Sequence, residues 1–97
     1  MRYRLSRKAE EDIIGIFLIG VERFGMAQAE RYHGQLEKCF RFLADNPLAA
    51  HERHEIMPPV RIHPVGAHLV IYRIEDDGGI FVIRVRHGHE DWQDASE

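Results

Sequence analysis

The feature that most constrains this chain is a hairpin pattern in its last third. Two apolar runs, 68–74 and 80–87, flank Asp76-Asp77-Gly78-Gly79. Such a turn, rich in residues that tolerate positive φ, joins two antiparallel strands. On the second strand, strict alternation puts Phe81, Ile83 and Val85 on one face and Val82, Arg84 and Arg86 on the other. The predicted sheet packs one face on helices and leaves the other at least partly wet. The strand then runs into His87-Gly-His-Glu-Asp-Trp92. Arginines on a strand are costly to bury, so this segment points to a surface that grips something.

Upstream, Tyr3-Arg4-Leu5 alternates and is predicted to be a short strand. Ser6 fits a helix N-cap, and Glu10, Glu11 and Asp12 in the first turns suit the positive end of the helix dipole. Ala9, Ile13, Ile16, Phe17 and Val21 recur at helical spacing, predicting a helix over 7–24. Ile14 and Leu18 make that helix apolar on a second face, read either as burial from two sides or as a face awaiting a partner helix. Gly25 closes it. Ala29, Tyr32, Leu36, Phe40 and Leu43 define a second helix from Met26 to about Ala44, stopped by Asp45-Asn46-Pro47. The short link makes the two an antiparallel helical hairpin. Residues 48–59 read as a loop with at most one helical turn, Val60–His63 as a strand, and Pro64-Val65-Gly66 as a turn. The expected fold is α+β: a helical hairpin over a small, mainly antiparallel sheet, in the order β-α-α-β-β-β.

Ninety-seven residues make one domain, 1–97, with a small core. No apolar run approaches the roughly 20 residues that span a bilayer, and the basic N-terminus lacks a cleavage signal. The lone Cys39 excludes an internal disulfide and fits a reducing cytoplasm. Its place in the second helix makes it a small buried residue, with a reactive thiol as the alternative. The net charge is −3, with Glu90, Asp91, Asp94 and Glu97 concentrated in the last eight residues. A protein that grips many phosphates normally carries a clear basic excess, which is missing here. The acidic end, 93–97, is expected to be flexible or to fold back over the arginines.

Several segments together resemble the ParE branch of the RelE/ParE toxin superfamily. They are Tyr3-Arg-Leu-Ser-Arg-Lys-Ala-Glu-Glu-Asp-Ile13, Phe24-Gly-Met-Ala-Gln-Ala-Glu-Arg-Tyr32, Asn46-Pro47, Leu69-Val-Ile-Tyr-Arg73 and Ile83-Arg-Val-Arg-His-Gly-His-Glu-Asp-Trp92. The resemblance covers nearly the whole chain through the order and spacing of these pieces. It implies two N-terminal helices on a small antiparallel sheet. It also implies a cognate antitoxin that wraps and neutralises the toxin in a hetero-oligomer. For ParE members it implies DNA gyrase as target, inhibited by binding, with no cofactor and no direct nucleic-acid contact. RelE members instead cut mRNA on the ribosome.

The residues leave an enzymatic reading open. A metal-free ribonuclease needs a base, an acid and cations for the phosphorane, and Arg61, Arg73, Arg84, Arg86, His63, His68, His87 and His89 offer the types. Lysine, however, is limited to Lys8 and Lys38, a poor match to ribosomal RNA. The same arginines can instead meet an acidic partner, or pair internally with Glu52, Glu55, Glu75 or the tail. Trp92 either closes the core or anchors a partner. His87-x-His89 and His51-x-x-His54 lack a third ligand, so no metal is expected. The candidate target-binding set is Arg61, Arg73, Arg84, Arg86, His87, His89 and Trp92. The candidate antitoxin groove is Ile13, Ile14, Phe17 and Leu18. A toxin-like protein that acts only through its antitoxin, and one with a target other than gyrase, remain alternatives.

Overall fold

A computed structural model of the chain describes residues 2–88. The readings made above for His89, Trp92 and the acidic end lie outside the described residues. Strand β1 (Tyr3–Leu5) leads into helix α1 (Arg7–Phe24) and helix α2 (Met26–Asp45). A single 3-10 turn (Pro47–Ala49) follows, then β2 (Glu52–Arg53), β3 (Val60–Val65), β4 (His68–Ile74) and β5 (Ile80–His87). The strands form one sheet in the order β1-β5-β4-β3-β2. β1 runs parallel to β5, and every other pair is antiparallel.

Local chemistry sets the element boundaries. The Ser6 hydroxyl accepts the Ala9 N–H at 2.9 Å, which caps α1. Gly25, at φ 90°, makes the sharp break between the helices, and its N–H donates to Val21 O. The side-chain amide of Asn46 donates to Phe42 O at the end of α2. The β4–β5 turn is closed by Glu75 N–H to Gly79 O at 2.8 Å and Gly78 N–H to Glu75 O at 2.9 Å.

Three expectations need correction. β5 does not alternate strictly: Tyr72 pairs with Val82 but Ile71 pairs with Arg84, leaving Ile83 as the extra residue of a bulge. Val82 and Val85, three apart, therefore both face the core. Second, the loop at 48–59, entered through the 3-10 turn, also contains the two-residue strand β2. Third, Pro64 and Val65 belong to β3 rather than to a turn, and the reversal falls at Gly66 and Ala67. Pro64 is tolerated because β2 pairs only with Val60 and Arg61, so this part of β3 is a sheet edge.

The helices cover one face of the sheet. The core joins Ala9 and Ile13 of α1 and Leu36, Phe40 and Leu43 of α2 to Val70, Tyr72, Ile80, Val82 and Val85. Burying each large apolar side chain contributes about 1.5–3 kcal/mol. Tyr72 is fully buried, with its hydroxyl donating to Pro47 O at 2.8 Å. Cys39 is free and buried, and desolvation pushes its thiol up to about 11, so it packs as an inert apolar group.

The core is uneven along the helices. In α1 only Ala9 and Ile13 are buried. In α2 the buried residues after Ala29 all lie from Leu36 onward. The half of the hairpin near Gly25 therefore has little of the sheet beneath it.

Candidate functional site

The four candidate arginines do not form one patch. Arg84 belongs to the fold. Its Nε and Nη2 donate to the two Asp12 carboxylate oxygens at 2.8 and 3.0 Å, and both side chains are mostly buried. The Val85 N–H adds a third hydrogen bond, to Asp12 Oδ2 at 3.0 Å. Asp12 thus serves the edge of β5 beyond the end of β1. Ser6 serves the same edge one step earlier, through its N–H to Val82 O and its hydroxyl to Ile83 O. Among the described residues the acid that Arg84 pairs with is Asp12. Seventy-two residues separate the pair, and nothing local in the sequence marks it.

Arg61 points to the helix side and donates to Ala50 O at 2.6 Å. Arg73 lies on the opposite face, stacked over the Phe81 ring at 4.7 Å. Arg4 lies over the same ring at 4.5 Å. Arg4 is also bound bidentately by Glu75, and that hydrogen-bonded guanidinium holds the Glu75 carboxyl below its usual range. Arg86 is opposite Leu69 in the register, and His87 is opposite His68.

The strand end meets the helices through a polar cluster. The Tyr32 hydroxyl lies 2.6 Å from His68 Nδ1, donates to Val65 O at 3.2 Å and accepts the Ala67 N–H at 3.1 Å. Burial raises the Tyr32 pKa, partly offset by the Ala67 N–H. The His68 and His87 rings meet edge to face at 5.4 Å. Gly66, at φ 55°, is required here, because a Cβ would come within 2.6 Å of the Tyr32 ring.

This cluster closes one end of an open groove of about 730 Å³. Its walls are one flank of α1, with Asp12, Ile16, Ile19 and Arg23, and α2, with Ala29, Tyr32 and His33. The helices approach closely at the groove's roof, where a Cβ on Gly20 would sit 3.4 Å from Ala29 Cβ. Gly15 also lines the groove, but a Cβ there would touch nothing within 4 Å.

The candidate antitoxin residues divide in a similar way. Ile13 is a core residue, only 8% exposed, at the edge of the groove. Phe17 is half-buried, with its ring edge to face with His33 at 6.1 Å. Ile14 and Leu18 are 59% and 60% exposed and lie outside the groove. Set four residues apart, they form an apolar stripe on the outer flank of α1. The groove residues Ile16, Ile19, Ala29 and Tyr32 were not among the sequence candidates for a site. Their apolar periodicity looks the same whether the sheet or nothing lies beneath them.

The fold and these surfaces define a small two-layer α+β domain with two apolar contact faces on one helical hairpin. A family model described as "ParE toxin of type II toxin-antitoxin system, parDE" matches residues 3–92. Toxin ParE1 of Mycobacterium tuberculosis is 34% identical over 90 residues, covering 93% of this chain and 92% of that protein. Toxin ParE1 of Caulobacter vibrioides is 31% identical over 85 residues, covering 88% and 86%. A solved chain described as "Chromosomal ParDE TA system from P. aeruginosa" shares the fold, with a TM-score of 0.74 and 21% identity, over 90% of this chain and 95% of that one. The chain belongs to the ParE toxin family of type II toxin–antitoxin systems.

Proposed function

We propose that this chain is a toxin that inhibits DNA gyrase by binding it, and that a cognate antitoxin neutralises it. The observation that carries the reading is the family match over residues 3–92, nearly the whole chain. The antitoxin's place is the outer flank of α1, where Ile14 and Leu18 offer an uncovered apolar stripe suited to an amphipathic segment. The target surface is the far end of β5, with Arg86 and His87, continuing into His89 and Trp92, together with exposed Arg73. Arg61 and Arg84 act at a distance by holding the fold.

Action by binding rather than catalysis is supported by how the cationic groups are used. Arg84 is committed to Asp12 and Arg61 to Ala50 O, while His63 packs on Phe42 at 5.8 Å. Of the groups a ribonuclease would draw on, these three are thus held away from the Tyr32, His68 and His87 cluster, where Arg86 also lines the groove. The same reading gives the protein no cofactor and a cytoplasmic place of action. No helix among the described residues is long and apolar enough to cross a membrane.

The test is a supercoiling reaction with purified protein, gyrase, ATP and relaxed plasmid. Loss of supercoiling with accumulated linear DNA, relieved by the antitoxin, is the expected result. Unimpaired supercoiling at large excess of protein, with cuts in ribosome-bound mRNA, overturns it in favour of a nuclease.

A further inference from the structure

At its bulge β5 is held from a direction that the sheet does not require. The parallel pairing with β1 stops at Leu5 and Val82. Past that point, no strand among the described residues covers this edge of β5. The start of α1 does so instead. The Ser6 N–H donates to Val82 O at 2.9 Å, and its hydroxyl donates to Ile83 O at 2.7 Å. The same hydroxyl accepts the Ala9 N–H, so one oxygen both caps α1 and holds the bulge. Within the next two turns, Asp12 accepts the Val85 N–H at 3.0 Å. Ile83 adds no pairing with β4, where Tyr72 and Ile71 pair with Val82 and Arg84. A strand one residue shorter would keep the same β4 partners. The bulge therefore ties β5 to α1 rather than to β4.

We propose that Ser6 and Asp12 are positioning residues for the target surface, setting the course of the β5 end that carries Arg86 and His87. The proposal rests on the gyrase reading given above. Arg86 and His87 directly follow Val85, the last backbone group bound from α1. Directly opposed residues share a face of the sheet. Arg86, opposite Leu69, is thus turned to the helix-free face, which also carries Arg73. His87, opposite His68, is turned to the helix side, where the two rings meet. Strict alternation from Val82 would exchange these two sides.

A contact surface works only when its side chains are held to about 0.5 Å, and bonds to a rigid element do this. Arg84 clamps the Asp12 carboxylate from the other side. The bonds to the β5 backbone itself come from Ser6 and Asp12.

The test pairs supercoiling by gyrase with NMR of the His68 and His87 ring protons in the protein alone. Asp12→Ala, kept where circular dichroism shows it folded, should raise the half-inhibiting concentration at least about tenfold. It should also shift both histidine signals, because their edge-to-face contact depends on the strand end. Asp12→Asn keeps an oxygen for the Val85 N–H and should restore inhibition to within about threefold of the unchanged protein. Deletion of Ile83 keeps every β4 partner and removes the carbonyl that Ser6 binds. It should fold and lose inhibition as Asp12→Ala does, and it carries the test if Asp12→Ala does not fold. Full inhibition by either folded variant overturns the proposal. So does an Asp12→Asn variant as weak as Asp12→Ala, since charge rather than the backbone bond would then matter. If the unchanged protein leaves gyrase unaffected, the gyrase reading falls and the histidine signals decide alone. Shifted signals then uphold the positioning role, and unmoved signals end it.

Discussion

The two halves of the helical hairpin share a sequence pattern but not a physical role. Near the sheet, apolar positions are spent on the core: Ala9, Leu36, Phe40 and Leu43 are at most 2% exposed. Near Gly25, equally apolar residues stay half exposed, as with Ile19, Phe24 and Met26. The difference comes from the sheet's reach, not from the helices. A periodic apolar stripe states only that a helix wants a neighbour. Where the neighbour is the sheet, the stripe holds the fold. Where the sheet stops, the stripe is left for another partner.

The largest expected effect breaks the sheet-side half. Leu36→Ala removes a side chain that is 1% exposed and should destabilise by about 2–5 kcal/mol. Ile19→Ala, at the tip, should cost no more than about 0.5 kcal/mol from contacts among the described residues. Urea unfolding of both variants checks this contrast, and equal losses would erase the distinction.

Next comes the junction between the halves. Asp12→Ala leaves the mostly buried Arg84 guanidinium without its carboxylate and removes the acceptor of the Val85 N–H. A loss of roughly 3 kcal/mol is expected. Arg84→Ala should cost less, because Asp12 keeps its hydrogen bond from the Val85 N–H. The order of the two unfolding midpoints tests whether the bulged edge depends on Asp12. If Arg84→Ala proves the milder change yet abolishes inhibition in a folded protein, Arg84 meets the target after all.

Gly15→Ala should act in the opposite direction. With nothing within 4 Å of the added Cβ, it should stabilise α1 by about 1 kcal/mol. A loss of stability instead would mean that the groove is already filled at that point.

The smallest effect is on pH dependence. Burial raises the pKa values of Cys39, Tyr32 and Tyr72 in the folded state, all of them acids that become anions. Their contribution is complete below their unfolded values, near 9 for the thiol and 10 for the phenols. It is lost as pH rises through the folded values, about 11 for Cys39. Urea midpoints should therefore fall between pH 9 and 11, and Cys39→Ala should reduce the slope. On the acid side, Glu75 and Asp77 have lowered values, so stability should fall as pH drops through them. Asp77 is exposed and Glu75 only partly buried, so that change should be slight.

Much of the fold was legible because its signals are local. Ser6 and Gly25 bound α1, Gly25 and Asn46 bound α2, and Asp76–Gly79 marks the hairpin. The match of the helix limits to 7–24 and of β5 to 80–87 follows from those residues. What the sequence hid was longer in range or smaller in scale. The bulge at Ile83 alters the faces of β5 through one unpaired residue, and β2 is only two residues long. The Arg84–Asp12 pair joins the two ends of the chain. An arginine on a strand therefore looked like a gripping residue when its carboxylate lay in the first helix. The groove was invisible for a different reason: its existence depends on where the sheet ends beneath α1.

The central claim is that the core side of the hairpin holds the fold while its outer flank receives the antitoxin. The most direct measurement is antitoxin relief of gyrase inhibition by an Ile14→Glu, Leu18→Glu double variant. The account predicts that this variant folds and still blocks supercoiling, but that relief needs at least about tenfold more antitoxin, a loss of roughly 1.4 kcal/mol or more. Full relief at the wild-type antitoxin concentration would contradict it.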